Sequence, residues 1–285
     1  MKVHSNFDLT NFNSYRVKAR CSTAYFPENE EDVIEFYSSK KPFILLGSGH
    51  NIILSKDYYD TNFLIFNGNF DDLEINAETG DIVAEAGITM LEISKSALEN
   101  GLTGVEIFYD IPSSLGGAVV MNAGASGEEI KDVLVKVRYL DLVDMKVKEI
   151  RKEEMGFEYR NSFFQRNTDK VVLKVWLQLL IGSKDAIKDK METIKSQRWA
   201  KQPKEFPNAG SVFKRPKGYY VGAIMDELKL KGYTIGGAKI SEKHGGFIVN
   251  FDNATGNDIL QIIKEVKSKV LESFGVDLEI EQRII

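Results

Sequence analysis

With 285 residues, 43% hydrophobic and 28% charged, the chain can bury a substantial core and is not intrinsically disordered. Lys+Arg 37 against Asp+Glu 42 leaves a net charge of −5, without the basic excess expected where nucleic acid or an anionic membrane is the main partner. A single cysteine, Cys21, excludes an intrachain disulfide, and three dispersed histidines, His4, His50 and His244, give no metal-ligand spacing, so no metal is expected.

The opening MKVHSNFDLTNFN has no apolar signal-peptide core, and no run approaches the roughly 20 apolar residues of a membrane span. The expectation is a soluble, cytoplasmic enzyme with no membrane insertion. In chain order, ENEEDVIEFYS predicts a helix near 30–40, its acidic residues at the end that suits the helix dipole. FILL (43–46) and NFLIF (62–66) read as short strands. Thr89-x-x-Glu92 is a capping-box pattern for a helix running to Asn100, with Gly101 as its stop. DVLVKVRYLD (132–141) alternates Val133, Val135, Val137 and Tyr139 against Lys136 and Arg138, and LKVWLQLL (173–180) alternates Leu173, Val175, Leu177 and Leu179; both read as half-buried strands. A helix over 184–198 follows, then the proline-bearing linker 201–210, a candidate boundary. Ile259, Ile262, Ile263, Val266, Val270 and Phe274 keep helical spacing up to Gly275, and DLEIEQRII reads as a closing strand. Irregular interleaving of strands and helices, with hairpin-like pairs, favours an α+β fold.

Two segments suit a phosphate-bearing ligand. Gly47, Ser48, Gly49, His50 and Asn51 follow a strand directly, where backbone N–H groups can cradle phosphate; Ile52 replaces the third glycine of a dinucleotide fingerprint. The run 110–130, DIPSSLGGAVVMNAGASGEEI, is rich in small residues and suits two loops pressed on a flat ligand, or else a tightly packed helix and turn. Three polar groups could carry chemistry. Arg160, in YRNS, has the fork that fixes carboxylate or phosphate, although a surface arginine is commoner. Ser211 sits in NAGSVF, which is not a hydrolase elbow because position 213 is Phe. In the last segment, alternation puts Leu278, Ile280 and Gln282 on one face, and Glu279, Glu281 and Arg283 on the other.

Taken in order, GLTGVE (101–106), IPSSLGGAVVMNAGASG (111–127), YRNS (159–162), NAGSVFKRP (208–216), GYTIGGAKISEKHGGFIVN (232–250) and LEIEQR (278–283) resemble the shorter subtype of the UDP-N-acetylenolpyruvoylglucosamine reductase (UDP-N-acetylmuramate dehydrogenase) family. The resemblance spans about residues 8 to 284. It implies a two-lobed FAD-binding module of the vanillyl-alcohol-oxidase / p-cresol methylhydroxylase type (1–75 and 76–197) and a substrate-binding domain (198–285). It also implies NADPH as hydride donor and UDP-N-acetylglucosamine enolpyruvate as substrate, reduced to UDP-N-acetylmuramate in peptidoglycan precursor synthesis. By the same resemblance Ser211 donates a proton, while Arg160 and Glu281 stabilise enolate-like charge. Tyr159, Lys201, Arg215 and Arg283 contact substrate. Gly47, Ser48, Gly49, His50, Asn51, Pro112, Ser114, Gly117, Asn122, Ala125 and Gly127 contact FAD.

The chain departs from the family pattern at Lys18-Ala19-Arg20-Cys21, at His50, at Asp110 and Ser113 in place of glycines, and at Ala223 in place of lysine. A positive φ at Asp110 or Ser113 would strain the backbone, and FAD binding weaker than usual is the expectation. Two other readings accompany the resemblance: a flavoprotein relative acting on another substrate, and a flavin- or UDP-sugar-binding protein without turnover.

Overall fold

Five of the seven α-helices begin where a side-chain oxygen accepts from an amide of the first turn. These are α1 (Glu30–Ser38, capped by Asn29), α2 (Met90–Glu99, Thr89), α3 (Leu115–Met121, Ser114), α4 (Phe163–Arg166, Ser162) and α7 (Gly256–Phe274, Thr255). The other two are α5 (Lys184–Lys201) and α6 (Val221–Glu227). The predicted Thr89/Glu92 box is formed, and Asn100 and then Gly101, at φ +68°, end α2.

The computed structural model describes residues 1–285 and divides into two units. The first comprises Met1–His4, Thr23–Ser48 and Asn62–Gln197; the second comprises Ser5–Ser22, Gly49–Thr61 and Arg198–Ile285. The C-terminal part of the second unit therefore starts inside α5, just before the proline-bearing linker, and two early segments join it.

The first unit is built on a five-stranded antiparallel sheet, in the order Lys146–Arg151, Leu134–Asp141, Lys170–Gln178, Asp81–Glu85, Leu73–Asn76. A parallel pair, Phe43–Leu46 against residues 62–65, stands beside α1 in the sequence. Its core gathers Ile82, Ala84, Ile93, Leu102, Leu115, Val119, Val137, Leu173, Val175 and Leu177. The predicted alternation over 173–179 is observed, with Leu173, Val175, Leu177 and Leu179 all buried. The alternation over 133–139 is corrected: Val135 is 41% exposed while Leu134 is buried. A register shift between Leu134 and Lys136 adds a residue to this strand, and the side chains on either side of it change face.

The second unit packs α7 on a three-stranded antiparallel sheet, Thr234–Ile235, Ala238–Ile240 and Ile248–Asn250. The stripe Ile259, Ile262, Ile263, Val266 and Val270 is fully buried there against Ala238, Ile240 and Ile248, and Gly275 at φ +65° closes the helix. Each such side chain stabilises the unit by about 1.5–3 kcal/mol relative to an exposed one. The closing strand is shorter than predicted. Only Arg283–Ile284 is a strand, parallel to Ile52–Ile53, and Ile280 bridges Phe213. No helix is long and apolar enough to cross a membrane.

Candidate active site

The two segments predicted to hold the flavin meet in the first unit at Ser114. Its N–H donates to Ser48 Oγ at 2.9 Å, and its own Oγ caps α3 by accepting from Gly117 N–H at 3.4 Å. A Cβ on Gly47 would lie 2.7 Å from Ser114 Oγ, so the bare backbone at 47 is what lets the two segments approach. Beside them, Ser113 Oγ is buried with no hydrogen-bond partner, and Pro112 is exposed. The run 110–130 is therefore not two loops alone, because its middle is α3, with Gly116 tight against Ala86. Two glycines at the start of a seven-residue helix hide its periodicity. Asp110 has φ −117° and Ser113 is not among the residues of positive φ, so the strain expected from the lost glycines is absent.

Ala125 and Glu128 pair across a two-residue turn in which Ser126 and Gly127 both have positive φ, as a tight hairpin requires. Asn122, fully buried and left-handed, ends α3 and donates to Glu129 Oε2 at 2.9 Å and to Glu158 O at 3.0 Å. Arg160 stands in a second tight turn, Glu158 to Asn161, with φ +52°. Its guanidinium donates to Gly124 O at 2.7 Å and Asn122 O at 3.3 Å, lies 3.9 Å from Glu129 and stacks on Tyr159. The sequence offers Arg160 as a group that could fix an anion. In the structure its guanidinium ties together the hairpin that carries Asn122, Ala125 and Gly127. Tyr159 is half exposed.

In the second unit, Ser211 lies on a short extended segment held from both sides. Ser211 bridges Phe247, Val212 N–H donates to Gly246 O at 3.0 Å, and Glu281 N–H donates to Val212 O at 2.8 Å. The segments bearing Ser211 and Glu281, 70 positions apart, are thus paired neighbours. Asn51 joins them through its Nδ2, which donates to Glu281 O at 3.1 Å, while Arg283 N–H donates to Asn51 O at 2.9 Å. Arg283, Arg215 and Lys201 are exposed, and Arg215 stacks 3.8 Å from the centre of the Tyr220 ring. Gly49, at φ +72°, has room for no side chain because a Cβ would meet Phe12 O at 2.0 Å.

His50 is hydrogen-bonded through Nδ1 to Ser14 Oγ. Burial first, and then the charges of Arg16 and Lys204, push its pKa down to about 4, so the ring is neutral at pH 7. The unfolded chain takes up a proton near pH 6.5 that the folded chain refuses until about 4. The stability contributed by neutral His50 is complete above pH 6.5 and is lost as pH falls through this window, by at most about 1.4 kcal/mol per pH unit. His50→Asn should flatten the acid side of the curve, measured by urea unfolding at about pH 7.5 and pH 5. Equal acid-side losses in both proteins would contradict this account of His50.

Sequence reasoning missed Tyr15, Gln282 and Glu129. A glutamine in an otherwise apolar alternation (Leu278, Ile280, Gln282) was the available signal for one of them. No group of three or more His, Cys, Asp or Glu is placed to hold a metal ion.

Residues 22–150 match the family model of an FAD binding domain, and residues 202–285 match that of the UDP-N-acetylenolpyruvoylglucosamine reductase C-terminal domain. The UDP-N-acetylenolpyruvoylglucosamine reductase of Francisella tularensis is 38% identical over 279 residues, covering 97% of this chain and 98% of that protein. The chain belongs to the UDP-N-acetylenolpyruvoylglucosamine reductase family. The reductase of Geobacillus kaustophilus is 40% identical over 281 residues, covering 97% of this chain and 91% of the relative. The crystal structure of the reductase from Thermus caldophilus superposes with a TM-score of 0.82 at 29% identity, covering 99% of this chain and 98% of that one. The α+β class and the FAD-binding module expected from the sequence agree with these matches to the reductase family.

Proposed function

We propose that this chain is an FAD-dependent reductase that takes hydride from NADPH and reduces the enolpyruvyl group of UDP-N-acetylglucosamine enolpyruvate to the lactyl ether of UDP-N-acetylmuramate, in the cytoplasm. The observation that carries this reading is the direct pairing of the Ser211 segment with the Glu281 segment, in a chain similar along its whole length to reductases of that name.

The residues present fit FAD. Gly47 leaves open the space that a Cβ would take beside Ser114, and the orphaned Ser113 hydroxyl lies next to it, ready to serve a polar ligand. Gly47, Ser48, Pro112, Ser114, Gly117, Asn122, Ala125 and Gly127 of the first unit would hold it. When bound, FAD supplies the hydride acceptor for NADPH and the hydride donor for the enol carbon.

Hydride arriving at the terminal enol carbon leaves an electron pair on the adjacent carbon, delocalised into its carboxylate. By the family resemblance Arg160 and Glu281 are the groups that would stabilise that charge, a cation and an acid. Ser211 would then break its O–H bond and form the new C–H bond, with solvent restoring the serine proton. A serine hydroxyl is a weak acid, so the step would need close placement, and the carbanion-like carbon would supply the strong base. Tyr159, Lys201, Arg215 and Arg283 would bind the UDP-sugar and its pyrophosphate, the last three from the substrate-binding span 198–285.

An anaerobic spectral titration tests the reading. NADPH should bleach the flavin absorbance, and UDP-N-acetylglucosamine enolpyruvate, added alone, should restore it with one equivalent of UDP-N-acetylmuramate formed. Bleached protein that ignores this substrate would belong to a relative with different chemistry.

A further inference from the structure

Beneath the Ser211 turn lies a buried glutamine that the reaction itself does not call for. Gln282 Nε2 donates to Ala209 O at 3.0 Å, and to Gly210 O and Ser211 O, each at 3.3 Å, so three consecutive carbonyls converge on one amide nitrogen. Its Oε1 accepts from Tyr15 O–H at 2.9 Å. The amide orientation follows from its partners, because three carbonyls require the NH₂ end and leave the oxygen for the phenol. Both side chains are closed off, Tyr15 fully buried and Gln282 4% exposed. Tyr15 is fixed in turn, since its own carbonyl accepts from Asn250 Nδ2 at 2.8 Å, and burial raises its pKa so that it stays a donor.

Gln282 backs a turn that only glycine makes easily: Gly210 adopts φ +80°, and its N–H donates to Asn208 Oδ1 at 3.2 Å. Gln282 is also the residue after Glu281, whose N–H donates to Val212 O. One side chain therefore fixes the backbone of Ser211 to the segment that carries Glu281.

We propose that Gln282, oriented by Tyr15, is a positioning residue that sets the placement of the Ser211 hydroxyl relative to Glu281 and so governs proton delivery, not flavin reduction. The inference rests on the assignment of Ser211 as proton donor. A displacement of about 1 Å at a reacting group costs up to about 100-fold in rate.

The test uses the FAD-loaded enzyme and stopped-flow measurement of the two half-reactions. Gln282→Met, which keeps length and loses the amide, should leave bleaching by NADPH within about twofold of the parent and slow reoxidation by the enolpyruvyl substrate by roughly 10- to 100-fold. Tyr15→Phe, which removes a single hydroxyl, should show the same split at smaller size, and it carries the test should Gln282→Met fail to fold. Combination with Ser211→Ala is decisive, because a residue acting through Ser211 has nothing left to position and the double variant should be no slower than Ser211→Ala alone. Three results would overturn the proposal: parent-like reoxidation in the single variants, equal slowing of both half-reactions, or further slowing in the double variant. If Ser211→Ala itself reoxidises at the parent rate, the Ser211 assignment fails first and takes this inference with it.

Discussion

Replacing Ser211 by alanine is expected to leave flavin bleaching by NADPH unchanged and to slow reoxidation by the enolpyruvyl substrate by about 10²- to 10⁴-fold, the usual share of a positioned proton donor. The asymmetry follows from the chemistry of each half. Hydride transfer from NADPH to flavin needs no proton on carbon, whereas hydride addition to the enol leaves a carbon that must be protonated. The Ser211 backbone is pinned by Phe247, Gly246 and the paired Glu281 segment, so loss of one oxygen should not move the turn. The 209–211 carbonyls remain on Gln282, and an unchanged unfolding midpoint would verify that. Equal losses in both half-reactions would mean that Ser211 shapes the site as a whole, and the role of proton donor would have to pass to another group.

Local signals in the sequence were read well because local physics decides them. The Thr89/Glu92 box needs only a hydroxyl and a carboxylate three residues apart, and Gly101 and Gly275 supply the left-handed backbone that ends α2 and α7. Alternation succeeded over 173–179 and failed over 133–139, where a bulge inserts one residue and exposes Val135. The bulge has no signature in DVLVKVRYLD, since either parity offers apolar residues to the core. The candidate site residues come from ordered motifs, not from spacing. Two of its supports stayed hidden because their partners are remote: Tyr15 meets Gln282 across 267 positions, and Arg160 reaches the carbonyls of Asn122 and Gly124 across 38 and 36. Backbone carbonyls as acceptors leave no mark on the sequence at all. The glycine losses at Asp110 and Ser113 raised a concern over strain that the backbone answers, for neither position uses a glycine-only conformation.

Gly47 is where flavin binding should be most sensitive to a single methyl group. Its φ lies outside the left-handed region, so the backbone there accepts any residue, and what forbids a side chain is Ser114 Oγ, 2.7 Å from the Cβ position. Ser114 has little freedom to retreat. It is buried, its N–H is bound to Ser48 Oγ, and its hydroxyl caps α3 through Gly117. Gly47→Val must therefore displace Ser114 or turn the 47–48 backbone away from it, an overpacking cost of about 1–3 kcal/mol. Where that cost falls on the flavin-bound form, FAD affinity drops by roughly 5- to 150-fold, and the protein should purify pale and bind added FAD weakly in a fluorescence titration. Gly222→Ala is the control, because nothing lies within 4 Å of a Cβ there and α6 gains a better helix former. Parent-like FAD affinity in Gly47→Val, with Ser114 shown undisturbed, would remove the 47–48 and 113–117 segments from the flavin site and leave the fit argued above without its cradle.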